Sequence, residues 1–205
     1  MQINRKIILC GFIIFLILFT SCSKGKKSVK NYNLPVELKD NTYLIFRLGK
    51  GYFSNVFRRL SSKEMIYSHV GIVHRCDSTI DHFKVYHIEA SEFTGKGKLK
   101  KESLETFIQN SKYWGIYGIN TTDSLKVEII KQANLYCKNN IEFDSDFDLE
   151  SDDKLYCSEF VAKSINNAFG YSVIKANLNI SGKLFFGLDD IYSNSLIRFV
   201  YSTKE

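Results

Sequence analysis

Proline appears once in the 205-residue chain, and neither a low-complexity tract nor an internal repeat interrupts it. With 44% hydrophobic and 14% aromatic residues, 16 Phe and 12 Tyr among them, the chain can bury a substantial core, which excludes a disordered tail. Also missing is any Cys-x-x-Cys, His-x-x-x-His or other Cys/His knot, so neither a metal nor an organic cofactor is expected; His87-Ile88-Glu89 alone offers too few donors. Nor is there an excess of charge in the body of the chain. The formal net charge of +6 is matched by Arg5, Lys6, Lys24, Lys26, Lys27 and Lys30 near the start, so the remainder is close to neutral and nucleic-acid binding gets no support.

The longest apolar run, Ile7 to Phe19, falls short of the roughly 20 residues a membrane-spanning helix needs. It follows a short basic stretch, Met1 to Lys6, and leads into Thr20-Ser21-Cys22, which is the layout of a cleaved export signal. Phe19-Thr20-Ser21-Cys22 resembles the lipobox of bacterial lipoproteins, with Phe where Leu is more usual. That resemblance implies lipidation at Cys22 and a membrane anchor in the cell envelope. Ser23 to Asn33 is polar and basic without a hydrophobic period, as suits a tether. The expected division is a signal over 1–21, a lipid-anchored tether over 22–38 and one domain over 39–205.

Within that domain Thr42 to Arg47 predicts a strand stopped by Gly49 and Gly51, with a short helix over Ser54 to Leu60. His69 to Val73 and Val85 to Ala90 predict neighbouring strands of a hairpin across a polar turn, Arg75 to Asp81. Ser103 to Asn110 reads as a helix and Tyr113 to Ile119 as a strand. Asp123 can cap a helix that carries Leu125, Ile129, Ala133 and Tyr136 on one face. After the acidic run Phe143 to Asp153, the apolar spacing of Phe160, Val161, Ile165, Ala168 and Phe169 predicts a helix that Gly170 ends. The fold class is α+β, an antiparallel sheet or small barrel packed against helices.

Cys157 then falls at a helix N-terminus, where unpaired N–H groups and the macrodipole favour thiolate over thiol. The N–H groups of Cys157 and Ser158 are also placed to face an oxyanion. Besides Cys10 in the signal and Cys22, the domain holds Cys76, Cys137 and Cys157, an odd number that leaves at least one thiol unpaired; a Cys76–Cys137 disulfide is possible. A cysteine nucleophile needs a base and the base an orienting group. Of His69, His74, His82 and His87, His69 is the strongest candidate because it begins a strand beside Gly71. Glu89 is the expected orienting carboxylate, reaching His69 across the hairpin.

Ser68-His69-Val70-Gly71-Ile72-Val73, Ile88-Glu89-Ala90 and Tyr156-Cys157-Ser158-Glu159-Phe160-Val161 stand in that order, and together they resemble the permuted papain-like hydrolases related to NlpC, in the YiiX-like branch. The resemblance spans roughly Asn41 to Phe169. It implies a papain-like single domain with Cys157 as nucleophile, His69 as base and Glu89 as the third polar member, whose identity varies between branches of the family. It further implies amide hydrolysis through an acyl-enzyme, on a cell-wall peptide or related acyl-amide. Tyr156, Phe185 and Phe186 are the expected substrate-binding aromatics. Two other readings stay open on sequence alone: a lipid acyl hydrolase or acyltransferase of the same fold, and a lipoprotein that binds a peptide or lipid without catalysis.

Overall fold

β-Branched and aromatic residues crowd Thr42 to Phe46, and in the computed structural model they form the central strand β1, Thr42–Gly49, whose eight residues are all buried. The structure describes residues 38–59, 61, 66–76 and 83–204. The expected signal, Cys22, the tether through residue 37, Leu60, His82 and most of the polar turn before it lie outside the described residues. No described helix is long and apolar enough to cross a membrane.

Strand β1 lies between β2, His69–Arg75, and β5, Ser111–Ile119, both antiparallel to it. Beyond β2 come β3, Phe83–Ala90, and β4, Gly97–Ser103, while the two-residue strands β6, Glu142–Phe143, and β7, Lys154–Leu155, close that side. On the other side β10, Ile197–Ser202, pairs with β5, giving a curled eight-stranded half-barrel in the order β10-β5-β1-β2-β3-β4-β6-β7. β8, Leu178–Ile180, and β9, Lys183–Phe185, make a separate hairpin. The helices are α1, Tyr52–Phe57; α2, Leu104–Gln109; α3, Asp123–Lys138; α4, Cys157–Phe169; and α5, Leu188–Tyr192.

Side chains alternate along each strand, so the sheet offers two faces with different partners. Leu44, Phe46, Val70, Ile72, Tyr86 and Ile88 turn toward α3 and α4 and meet Ile129, Ala133, Phe160, Val161 and Ile165. Tyr43, Ile45, Val73, Val85 and Ile116 turn the other way, onto Leu104, Phe107 and Ile108 of α2. Phe160, Val161 and Ile165 are fully buried, each worth about 1.5–3 kcal/mol against exposure, and they seat α4 on the sheet.

The predicted helices and strands are present, with one cap changed and β4, β6 to β10 and α5 added. Thr122 rather than Asp123 caps α3, its hydroxyl accepting the Leu125 N–H, because Thr122 holds the extended backbone a cap requires. Strand β4 is an addition: its Gly-Lys-Leu-Lys-Lys-Glu-Ser run has a single apolar residue, Leu99, and owes its extension to pairing with β3. As expected, Gly170 ends α4, at φ 75°, with its N–H on the Asn166 carbonyl.

Candidate active site

Cys157 is the first residue of α4 and forms part of a cleft wall that also contains His69. The backbone N–H groups of Val70, Ser158 and Cys157 itself point at the sulfur and draw its pKa down, but burial outweighs them and pushes the thiol up to about 11. The expected thiolate-favouring balance is therefore reversed in the free protein, because atoms crowd the sulfur on the core side although the cleft reaches it. Glu159 braces this end of the helix by accepting the Tyr156 N–H, and Ser158 Oγ donates to the Phe186 carbonyl at 2.6 Å.

The nucleophile and the base arrive from opposite faces of the sheet. The paired register of β2 and β3 runs from Arg75↔Phe83 to Ile72↔Tyr86 and stops short of Val70. At this end of the ladder His69, on the α2 face, and Cys157, from the helix face, both open onto one cleft. Gly71 permits the close packing there, since a Cβ on it would lie 2.9 Å from the Tyr86 carbonyl and 3.1 Å from His87 Cβ.

His69 and His87 are both buried, and His69 Nε2 lies 2.9 Å from His87 Nδ1. His87 Nε2 in turn lies 2.9 Å from Glu102 Oε1. One assignment of protons satisfies every atom in this row: His69 Nε2–H donates to His87 Nδ1, and His87 Nε2–H donates to the Glu102 carboxylate. It leaves His69 Nδ1 as the free acceptor. Phe107 fixes the rings from below, stacked on His69 at 5.6 Å and edge-on to His87 at 4.9 Å.

Burial, followed by the charges of Arg47, His87 and Lys100, holds His69 well below its ordinary value, so the ring is neutral at rest. Burial also lowers His87, against the pull of its Glu102 hydrogen bond. For Glu102, burial acts upward, but the hydrogen bond from His87 and the nearby His87, Lys100 and Arg47 charges outweigh it and keep the carboxyl below the usual range.

Glu89 does not occupy the place expected of it. Its two oxygens each lie 2.6 Å from Arg47 Nη2, while Arg47 also donates to the Phe107 carbonyl and stacks over the Phe107 ring at 4.3 Å. Arg47 is buried beside His69 in the β1–β2 register, and a buried guanidinium requires a counter-charge; Glu89 supplies it. The position against His69 Nε2 goes to His87, two residues earlier on the same face of β3. Donor atoms of His69, His87 and Glu89 lie within 4.8 Å of one another, a set that in chemical type suits a transition metal. As arranged they do not fit one, because Arg47 holds the carboxylate and the two imidazoles are bonded to each other.

Tyr156 lines the cleft, and burial pushes its hydroxyl pKa strongly up. Phe185 and Phe186 stand behind that wall instead. Phe186 is buried, donating its N–H to Tyr156 Oη at 2.7 Å, and Phe185 packs on Phe147. The aromatics that do face the cleft are Phe53, Phe57, Phe143 and Phe147. Cys76 is exposed and Cys137 half-buried, and both are free thiols.

A cysteine at a helix N-terminus and a histidine from an earlier strand of a curled sheet line one cleft, in the order of a permuted papain-like fold. The chain belongs to the permuted papain-like amidase family (YaeF/YiiX, C92), whose model matches residues 44–197. In general terms it is a cysteine amidase or peptidase. The crystal structure of YiiX from Escherichia coli O157:H7, described as a metalloprotein, has the same fold, with a TM-score of 0.62 at 18% identity over 79% of this chain and 96% of that one. No curated protein matches.

Proposed function

We propose that this protein is a cysteine amidase that cleaves an amide in a cell-wall peptide or related acyl-amide, with Cys157 as nucleophile, His69 as base and His87 as the group that orients it. The observation that supports this most directly is the row His69–His87–Glu102, which leaves Nδ1 of a neutral His69 as the remaining acceptor, with His69 and Cys157 lining one cleft. The Cys157 Sγ–H proton passes to His69 Nδ1 as sulfur bonds to the amide carbon. The C–N bond then breaks, and the amine leaves with the proton from His69. Water next gives a proton to Nδ1 and adds to the thioester, and the S–C bond breaks to release the acid and restore the thiol. The Ser158, Cys157 and Val70 N–H groups around the sulfur supply oxyanion stabilisation.

The test is amide turnover with mass spectrometry of the trapped enzyme. Cys157→Ala and His69→Ala each lower turnover by at least about a thousandfold, and only the Cys157 variant loses the acyl adduct altogether. An adduct on another residue, or full turnover without Cys157, rules the assignment out.

A metal is the second reading, since the structural neighbour is described as a metalloprotein and three donors meet here. The Arg47 pairing favours the metal-free route; turnover abolished by chelation and restored by zinc would reverse that preference. We further propose that Cys22 anchors the enzyme in the cell envelope, on the evidence of its lipobox. Globomycin should then retard maturation, seen as a shift in electrophoretic mobility.

A further inference from the structure

At the end of the sheet where the cleft opens, apolar side chains stand in water on the outer surface. Helix α1 exposes Tyr52 by 77% and Val56 by 46%, and in the turn between β3 and β4 Phe93 is 98% exposed. None of these three lines the cleft; their chain neighbours Phe53 and Glu92 do, so the three stand outside its mouth.

The two segments adjoin. The Glu92 carboxylate lies so near Gly51, the residue before α1, that a Cβ there would overlap it, and the Tyr52 and Phe53 rings pack at 5.9 Å. The turn that carries Phe93 is built from its own bonds. The Ser91 N–H donates to the Lys96 carbonyl, the Gly95 N–H to the Ser91 carbonyl and the Phe93 N–H to Ser91 Oγ, with Gly95 at φ 66°. None of these bonds uses the Phe93 ring, so the turn does not account for a phenyl group held in water.

Charge and chain length indicate what covers this face. Lys50, Arg58, Arg59 and Lys96 border the aromatics, and Glu92 is the one carboxylate within the same two segments. Exposed rings flanked by basic side chains match an anionic bilayer surface, where rings settle at the headgroup boundary and cations meet phosphates. The chain before Leu38 permits that placement. Leu38 packs with Tyr43, Val73 and Phe83, and its carbonyl accepts a hydrogen bond from Arg75, at the Thr42↔His74 end of the β1–β2 ladder; the cleft lies at the Arg47↔His69 end. The two ends are one strand apart, roughly 25 Å for the eight residues of β1. About 15 residues separate Leu38 from Cys22, and a chain of that length spans up to roughly 50 Å.

We propose that this face, Tyr52, Val56 and Phe93 with Lys50, Arg58, Arg59 and Lys96, docks on the anionic phospholipid surface to which Cys22 ties the chain, so that the cleft opens at headgroup level. This rests on the anchor at Cys22 and adds an orientation that the anchor alone does not impose.

The experiment uses the full chain in vesicles of phosphatidylcholine and phosphatidylglycerol, with and without bromine on the acyl chains. Phe93→Trp is compared with Tyr171→Trp. Tyr171 is 65% exposed and lies just past the far end of α4, about 20 Å along the helix from Cys157. The buried Trp114 is a background common to both. The added emission of Phe93→Trp shifts to the blue in vesicles and loses intensity to bromine, whereas that of Tyr171→Trp does neither. Mass spectrometry of the same sample reports acyl groups on Cys22 separately. With them present, no response at Phe93→Trp, or an equal one at Tyr171→Trp, overturns the docking face and leaves the anchor standing. Without them the anchor is overturned; a Phe93→Trp response then still upholds the face, and its absence overturns both. A blue shift that grows with protein concentration and is untouched by bromine assigns the face to a second copy of the chain and overturns the proposal.

Discussion

The helix face of the sheet brings Cys157 to the cleft out of an apolar core, whereas the α2 face brings His69 there at the end of a row of buried polar groups. On the first face, burial raises the thiol and backbone N–H groups partly offset it. On the second, burial lowers the imidazole and hydrogen bonds fix its tautomer. On the proposed assignment both members of the pair thus rest uncharged in the free protein.

The sharpest way to break this comparison is to exchange the two glutamates on the α2 face. Glu102→Gln leaves the size of the side chain but removes the charge that stabilises the His87 proton, so kcat should fall about tenfold to a hundredfold with KM held. Glu102→Asp should recover part of that loss. Glu89→Gln leaves the buried Arg47 guanidinium without its counter-charge, and because the Glu89 side chain is 38% exposed the stability cost, about 1–3 kcal/mol, stays below that of a fully buried pair and is visible in thermal melting. If Glu89→Gln reduces kcat more than Glu102→Gln does, then Glu89 is the orienting residue after all.

A second measurement addresses the helix face. Alkylation of Cys157 in the free enzyme should climb with pH through 9 toward the thiol value of about 11, with no plateau at acid pH. An early plateau that His69→Ala removes would mean that a thiolate–imidazolium pair forms at rest. Because His69 is held well below its ordinary value, kcat/KM should also keep its level below pH 6.5 before its acid limb falls.

Gly71→Ala acts where the two faces meet. The new methyl presses on the Tyr86 carbonyl and His87 Cβ, at a cost of about 1–3 kcal/mol. It should lower kcat as well, because His87 is displaced from His69; a stability loss with normal kcat would detach the hydrogen-bonded row from catalysis.

The placement of Cys157 at a helix start and of His69 at a strand start was legible in the sequence because each sits at a local signal: a cysteine before a helical apolar period that ends at Gly170, and a histidine opening a strand beside Gly71. Glu102 was not, since β4 has one apolar residue in seven and its strand character comes from β3, a partner no local pattern reveals. Glu89 misled for a related reason. Alternation correctly put it on the same face as His87, but Arg47, which claims it, comes from two strands away. Likewise the acidic run after Phe143 concealed the aromatic wall, because Asp144 turns that loop through its side chain and aims Phe147 at the cleft. Val70 carried no signal at all, as its contribution is a backbone N–H.

Beneath Cys157 lies a group whose expected effect is on stability alone. Glu159, fully buried in the first turn of α4, has its carboxyl raised by burial to about 7, despite Lys163 2.9 Å away. An unfolded glutamate titrates near 4.3, so between these values the folded state holds the proton more tightly. Stability from this group is therefore present below about pH 4 and lost as pH rises through about 7. Glu159→Gln should flatten that slope in chemical unfolding curves at successive pH values. The substitution is tolerable because Lys163 keeps Asp152 at 2.5 Å, and a slope it leaves unchanged would assign the decline to another group.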